Sequence, residues 1–129
     1  MTSALKGLIL LFTSMTIWGC SSLQSNNPED WIGYTESGEA SFYANKHQGK
    51  KTASGEPYKH DLKTAAHKTM PFGSKVKVTN VDNGKSVVVR VNDRGPFVRG
   101  RIIDLSRSAF SAIGNTSSGL IDVKIEVIR

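Results

Sequence analysis

The chain has 129 residues, with 17 Lys or Arg against 11 Asp or Glu, so its formal net charge is +6 at pH 7. This length accommodates one folded domain, and a single cysteine excludes a disulfide within the chain. The basic balance favours an anionic lipid, a nucleic acid or an acidic polymer such as the cell wall as partner. The basic residues are scattered and not interleaved with aromatic ones, so nucleic acid is not an expected partner. A basic surface without any such partner is the alternative.

Residues 1–19 predict a lipoprotein signal peptide. Lys6 supplies the positive start, and the apolar run Gly7–Trp18 is too short to span a bilayer as a mature helix. The run ends in Gly19-Cys20 and resembles a bacterial lipobox, which implies cleavage before Cys20 and lipid on its thiol. An ordinary signal peptide with a leftover cysteine, or a buried free thiol, is the alternative. Ser21 resembles the sorting pattern for the outer membrane, so we expect a lipid anchor there, facing the periplasm.

Polar residues follow the cysteine, and residues 20–37 predict a flexible tether to a domain at 38–129. Within the domain, alternating apolar residues and β-branched runs predict several strands. The clearest of these strands are Gly38–Ala44, Lys75–Val81, Ser86–Asn92 and Leu120–Ile128.

The connections between strands are short and carry specific turn and cap signals. Asn83-Gly84 predicts a two-residue hairpin turn in which both residues take a positive φ. A first helix is expected at Leu62–His67. A second is expected at Ser106–Ile113, with Ser106 as its N-cap and Gly114 as its C-terminal stop. About six strands with so little helix predict a small, mainly β barrel.

The segment Val87–Phe97, reading VVVRVNDRGPF, is the richest in chemistry. A β-branched strand ends there in a carboxylate, a guanidinium and a Gly-Pro turn. Because a rigid strand aims its side chains well, a carboxylate at its end can face a substrate, which makes Asp93 a catalytic candidate. The alternative is an ion pair between Asp93 and Arg94 that shapes the turn.

Seven short blocks follow one another in the domain: GEASFY at 38–43, TASGE at 52–56, TAAH at 64–67, PFG at 71–73, VTN at 78–80, VNDRGPF at 91–97 and GRIIDLS at 100–106. Together they resemble the rare lipoprotein A (RlpA) family of bacterial septal-ring lytic transglycosylases. The resemblance covers residues 38–128. It implies a six-stranded double-psi β-barrel, related to expansins and to one group of cellulases.

The resemblance also carries an expectation about recruitment in the cell. Many members of the family have a C-terminal domain that binds peptide-stripped glycan at the division septum. This sequence stops at Arg129, directly after the last predicted strand. We therefore expect septal targeting by that route not to be available to it.

The activity that the resemblance implies is endolytic cleavage of the MurNAc–GlcNAc bond in peptidoglycan. The C6 hydroxyl of muramic acid replaces water, which leaves a 1,6-anhydro end. One carboxyl can act first as acid toward the bridging oxygen and then as base toward that hydroxyl. By match to the family motif, Asp93 takes this role, Glu56 is the second carboxylate, and His67 orients the substrate or a carboxylate.

Local sequence leaves other interpretations open for these side chains. Glu56 is also typical of a solvated turn, and His67 of a helix end whose last carbonyls it contacts. Tyr43 is a candidate for stacking on a sugar, and Arg94 for binding a carboxylate of the substrate. Asp104 either lines the groove, caps the helix from Ser106, or pairs with Arg94 or Arg101; the cap or the ion pair is preferred.

The sequence gives no support for a metal or another cofactor. His47, His60 and His67 lack a regular ligand spacing, and no glycine-rich phosphate loop precedes a helix. A Ser-His-Asp hydrolase also lacks its nucleophile elbow. The expected partners are therefore peptidoglycan glycan strands and the membrane, through lipid on Cys20, with the protein itself a monomer.

Three functions are compatible with these features. The first is a lytic transglycosylase that uses Asp93 as general acid and base. The second is a noncatalytic, expansin-like module that binds or loosens the cell wall. The third is an inhibitor or adaptor that acts through protein contacts, because one fold can host unrelated functions.

Overall fold

The computed structural model describes residues 25–129. In this range there are six strands, one α-helix and three short 3-10 helices. The strands are β1 Thr35–Phe42, β2 Thr64–Ala66, β3 Lys75–Asn80, β4 Ser86–Asp93, β5 Arg101–Leu105 and β6 Ile121–Ile128. The α-helix α1 spans Arg107–Ile113, and the 3-10 helices span Pro28–Trp31, Asn45–His47 and Thr116–Ser118. Within 25–129, no helix is both long and apolar enough to cross a membrane. The predicted signal peptide and Cys20 lie outside the described residues.

The six strands close into a barrel in the order β1-β5-β2-β4-β3-β6. Two neighbouring pairs, β1 with β5 and β2 with β4, run parallel, and the other four pairs run antiparallel. Because neighbours in the barrel are mostly distant in sequence, the connections must cross its ends. The predicted six-stranded double-psi β-barrel with little helix is confirmed.

Alternating side chains explain why the strands form and which face they bury. In β6, Val123, Ile125 and Val127 are buried, whereas the charged residues between them are exposed. The helix α1 covers part of the core with Phe110 and Ile113. Its predicted limits are confirmed, since the Ser106 hydroxyl accepts a bond from a backbone N–H of the first turn and Gly114 follows the last residue.

The helix predicted at Leu62–His67 is wrong. Thr64–Ala66 forms β2 instead, a three-residue strand that is buried throughout. Its backbone bonds to β4 on one side and to β5 on the other. Alanine favours a helix in isolation, but here pairing on both edges of the strand overrides that weak preference.

The hairpin between β3 and β4 also differs from its prediction. Gly84 takes a positive φ of 73°, but no residue other than glycine has a positive φ in the described chain. The Asn83 side chain donates to the carbonyl of Ile113 at 2.9 Å, and the Asn80 side chain accepts from the backbone of Asp82. These bonds fix a longer turn in which only the glycine is left-handed.

Ordered structure begins before the predicted domain boundary at residue 38. Strand β1 starts at Thr35, and the 3-10 helix at Pro28–Trp31 precedes it. Trp31 packs against the core, and Gly33 and Tyr34 exchange backbone hydrogen bonds with Val127 at 2.9 Å. The later part of the predicted tether is therefore a piece of the barrel, because its backbone bonds to β6 and Trp31 packs against the core.

Candidate active site

A groove of about 420 Å³ opens at one end of the barrel. This volume lies in the range of small-molecule and sugar-sized sites. Its wall combines the end of β1, the loop that follows it, the end of β4 with the next loop, and one face of β5. The lining residues used below are Tyr43, Lys50, Lys51, Asp93, Arg94, Phe97, Arg101 and Asp104.

Asp93 is the last residue of β4 and lies in this groove with both carboxylate oxygens bonded. Its Oδ1 accepts from the backbone N–H groups of Ala53 and Arg94, each at 2.9 Å. Its Oδ2 accepts from the Tyr43 hydroxyl at 2.6 Å. The backbone therefore fixes one oxygen of Asp93, while the other meets a hydroxyl that can rotate.

Tyr43 lines the groove but is largely buried, and its hydroxyl contacts Asp93. The side chain is 8% exposed, and its ring packs edge-on against Tyr58 with centroids 4.1 Å apart. Burial, the hydrogen bond to Asp93 and the nearby charges of Asp93 and Asp104 all raise the pKa of Tyr43 above its usual value. The hydroxyl thus stays protonated. The sugar-stacking role predicted for Tyr43 is not the role that this packing favours.

Asp104 lies in the same groove and pairs with Arg101. Its Oδ1 accepts from Nη2 of Arg101 at 2.6 Å and from the Ser41 hydroxyl. The same Arg101 nitrogen lies 2.5 Å from Ser41 Oγ. The predicted ion pair with Arg101 is confirmed, and α1 is capped by Ser106 rather than by Asp104. Asp104 Oδ2 has no hydrogen-bond partner among residues 25–129.

Strand β2 sets the separation of the two groove carboxylates. Its last residue, Ala66, is in register with Asp93 of β4 on one side and with Asp104 of β5 on the other. Neighbouring strands lie about 4.8 Å apart, so the two Asp Cα atoms are roughly 10 Å apart across β2. Ala66 itself is buried against Tyr43 and Tyr58, so these two rings lie at the base of the groove between the carboxylates.

Glu56 does not line the groove with Asp93. Its carboxylate binds Arg90 through two bonds of 2.5 and 2.9 Å, and 45% of the side chain is exposed. The hydrogen bonds from Arg90 hold the pKa of Glu56 below its usual value. Glu56 is therefore engaged by Arg90, while Ala53 of the same turn contacts Asp93, and a role for Glu56 as second carboxylate stays a prediction.

His67 is likewise outside the groove lining and is only 3% exposed. Its Nδ1 accepts from the backbone N–H groups of Thr69 and Met70 at 3.1 and 3.0 Å. Two donors at Nδ1 place the ring proton on Nε2, which lies 3.1 Å from Glu36 Oε1. Burial lowers the pKa of His67 below its usual value. His67 follows β2, so a position at the end of a helix is wrong.

Arg94 is held by the protein at the edge of the groove. Its Nη1 donates to the carbonyls of His67 at 3.3 Å and Met70 at 2.8 Å, and its guanidinium stacks on Phe72 at 4.1 Å. No ion pair between its guanidinium and the Asp93 carboxylate lies within 4.0 Å. The turn-shaping ion pair considered from the sequence is therefore wrong, because carbonyl oxygens take that place.

Several lining residues were not singled out from the sequence. Phe97 is 81% exposed at the groove, and Lys50 and Lys51 carry two ammonium groups along its wall. Exposed apolar side chains that rim a polar cleft are typical of ligand sites. The position of Phe97, directly after the turn that follows Asp93, could have indicated that it lies at the site. Nothing in the sequence apart from their charge could have indicated this for the two lysines.

Among residues 25–129, no group of three or more His, Cys, Asp or Glu side chains gathers as a metal site would require. The groove instead offers two carboxylates, a protonated tyrosine and guanidinium groups. Such a set can bind a polyhydroxyl ligand and transfer a proton to or from it.

The sequence of the barrel matches the family model described as lytic transglycolase over residues 35–125. The chain belongs to this family. The matched range begins and ends within β1 and β6, so the family domain coincides with the closed barrel.

Curated relatives of this lytic transglycolase domain carry the name endolytic peptidoglycan transglycosylase RlpA. The one from Pasteurella multocida (strain Pm70) is 52% identical over 108 residues, which are 84% of this chain and 37% of that relative. The one from Vibrio cholerae serotype O1 is 60% identical over 96 residues, which are 74% of this chain and 36% of that relative. The resemblance to the RlpA family is confirmed, and the chain spans little more than a third of these relatives.

A solved structure with the same fold is the Streptomyces papain inhibitor. It superposes with a TM-score of 0.62 and 26% sequence identity, over 76% of this chain and 97% of that one. An inhibitor on this barrel means that the fold alone does not decide function, which must be argued from the groove.

Proposed function

We propose that this protein is an endolytic peptidoglycan lytic transglycosylase that cleaves the MurNAc–GlcNAc bond and leaves a 1,6-anhydro end. The observation that carries the proposal is the Asp93 carboxylate, fixed by two backbone N–H groups inside a groove of about 420 Å³. The RlpA name of relatives that are 52% and 60% identical supports the same activity.

Asp93 Oδ2 is the oxygen suited to proton transfer. Oδ1 faces two backbone donors that cannot become acceptors, so a proton placed there would displace one of these bonds and leave a backbone N–H without its acceptor. Oδ2 faces the Tyr43 hydroxyl at 2.6 Å, which can rotate and accept instead of donate. Asp93 Oδ2 therefore protonates the bridging oxygen, and the resulting carboxylate then removes the proton of the muramic acid C6 hydroxyl.

Asp104 supplies the second carboxylate in this groove. Because Arg101 and Ser41 occupy only its Oδ1, Oδ2 is available to accept a hydrogen bond from a sugar hydroxyl. Lys50 and Lys51 add positive charge to the wall, which suits a glycan that bears carboxylates. Phe97 offers an exposed ring on which a sugar can stack.

The test is digestion of purified sacculi with the wild type and Asp93→Asn, followed by mass spectrometry of the released fragments. The variant should fold normally but release anhydro-ended fragments at least about 100-fold more slowly, since positioned acid–base catalysis contributes roughly 10²–10⁴. Asp122→Asn, an exposed residue of β6, is the matched control and should keep full activity.

Each product pattern has a distinct meaning. Anhydro ends from the wild type alone support the proposed reaction, and reducing ends would indicate a hydrolase. Binding without products would indicate the expansin-like wall-binding module. Equal anhydro product from the wild type and Asp93→Asn would reject the assignment of Asp93.

We further propose that lipid on Cys20 anchors the domain to the cell envelope, at the outer membrane facing the periplasm. The lipobox-like Ile17-Trp18-Gly19-Cys20 and the following Ser21 support this location. Cys20→Ala should move the protein from the membrane fraction to the soluble fraction of cells, while the purified domain keeps its activity. Membrane retention of Cys20→Ala would remove the anchor.

A further inference from the structure

Glu36 and His67 form a polar pair on the barrel, outside the groove that holds Asp93. The His67 imidazole is buried, and 27% of the Glu36 side chain is exposed. The pair connects β1 to the segment after β2, because Glu36 belongs to β1 and His67 directly follows Ala66. His67 Nδ1 accepts hydrogen bonds from the backbone N–H groups of Thr69 and Met70. These bonds hold residues 67–70 in a tight turn around the ring.

The backbone of His67 connects this turn to Asp93. The His67 N–H donates to the Asp93 carbonyl at 3.1 Å. The His67 carbonyl in turn accepts from the Arg94 guanidinium, which also binds the carbonyl of Met70. The turn around His67 therefore contacts both residues at the end of β4, and the Arg94 N–H is one of the two that fix Asp93 Oδ1.

We propose that Glu36 and His67 are positioning residues: by holding the turn at 67–70, they fix the backbone of Asp93 and Arg94 and thereby the direction of the Asp93 carboxylate. The expected effect on catalysis rests on the proposed function. The expected effect on the backbone of Asp93 and Arg94 rests on the hydrogen bonds alone. It assigns Glu36, a residue with no earlier role, to the reaction.

Proton transfer by His67 is disfavoured by its surroundings. The ring does not reach the groove lining, and both of its nitrogens already have protein partners. The charged groups around it are Glu36, Arg94 and Lys68. Only Glu36 favours the imidazolium, and burial together with the two cations favours the neutral ring.

Glu36→Ala and Glu36→Gln separate positioning from proton transfer. Glutamine keeps an oxygen that can accept the His67 Nε2–H bond, whereas alanine removes it. Two readouts are used: kcat and KM on soluble glycan strands across pH, and hydrogen exchange of the Arg94 amide. Glu126→Ala, an exposed glutamate of the neighbouring β6, is the matched control.

Glu36→Ala should lower kcat roughly ten-fold with little change in KM, because a small misplacement of a reacting group is costly. It should also speed exchange of the Arg94 amide. Glu36→Gln should stay within about two-fold of the wild type at every pH, with the same pH profile, because the bond to His67 persists.

Two results would overturn the proposal. If Glu36→Gln is as impaired as Glu36→Ala and its pH profile shifts, the pair acts through charge and proton transfer. If Glu36→Ala lowers only the melting temperature, with kcat and exchange unchanged, the pair is merely structural. Should the wild type release no product, the proposed function fails, and exchange at Arg94 alone decides: faster exchange in Glu36→Ala supports positioning, and unchanged exchange rejects it.

Discussion

Tyr43 lies close to both groove carboxylates, and its hydroxyl is the one side-chain donor to Asp93 among residues 25–129. Its raised pKa keeps the proton on oxygen throughout the neutral and mildly alkaline range. A tyrosine in this position can donate to Asp93 as a carboxylate and accept from Asp93 as an acid. It therefore supports both protonation states that the proposed two-step reaction requires.

Tyr43→Phe tests this role directly. The ring keeps its edge-on contact with Tyr58, so the fold and melting temperature should change little. Loss of a hydrogen bond to a charged group should lower kcat about ten-fold or more, in line with roughly 1.5–3 kcal/mol for such bonds. The measurement is release of anhydro fragments from glycan strands, with the exposed Tyr34→Phe as control. A fully active Tyr43→Phe would show that Asp93 works without this partner.

At the scale of elements, the four neighbouring strands β1, β5, β2 and β4 determine which side chains share the groove. Ala66 pairs with Asp93 and Asp104 on its two edges, and Ser41 of β1 is in register with Asp104. The β2–β4 and β1–β5 pairs are parallel, and the β2–β5 pair is antiparallel. The site is thus a product of barrel closure rather than of any one loop, and rigid strands give it fixed geometry.

The sequence predicted the elements with strong local signals. Alternation located β3 and β6, a β-branched run after the Asn-Gly turn located β4, and Ser106 with Gly114 located α1. β2 was missed because a three-residue Thr-Ala-Ala strand has no periodicity of its own and owes its conformation to two neighbours. Contacts between segments distant in sequence also determine the partner of Glu56. Its pairing with Arg90 depends on where β4 passes the 52–56 turn, and no local sequence pattern records that position.

The sequence proposed Asp93 as a site residue and left the place of Asp104 open, and the two outcomes have a related cause. A carboxylate that ends a β-branched run is visible in sequence as a candidate for a site. Asp104 lies inside β5, whose limits were not predicted. Its spacing from Arg101 favoured an ion pair as its role. Asp104 both pairs with Arg101 and faces the groove. The second property depends on the register between β2 and β5, which local sequence does not record.

At the scale of the whole molecule, the barrel has a main apolar core, a small second cluster beneath the groove and few buried ionisable groups. His67 is one of them, and its burial connects protonation to global stability. Because the folded state lowers the pKa of His67, the unfolded chain binds a proton at a higher pH than the native protein does. Stability therefore increases with pH through the histidine range and is lost as pH falls below the usual value of about 6.5.

The expected result is a fall in melting temperature of a few degrees between pH 7 and pH 5, measured by calorimetry. The Arg90–Glu56 pair does not contribute in this window, because Arg90 keeps the pKa of Glu56 below its usual value and the carboxylate stays ionised. His67→Asn is the comparison: its amide oxygen can accept the two backbone bonds but does not titrate, so its melting temperature should change less over the same range. Equal losses in the wild type and His67→Asn would assign the acid sensitivity to other groups. A smaller loss in His67→Asn would support a neutral imidazole in the native barrel, the protonation state that a positioning role beside Glu36 requires.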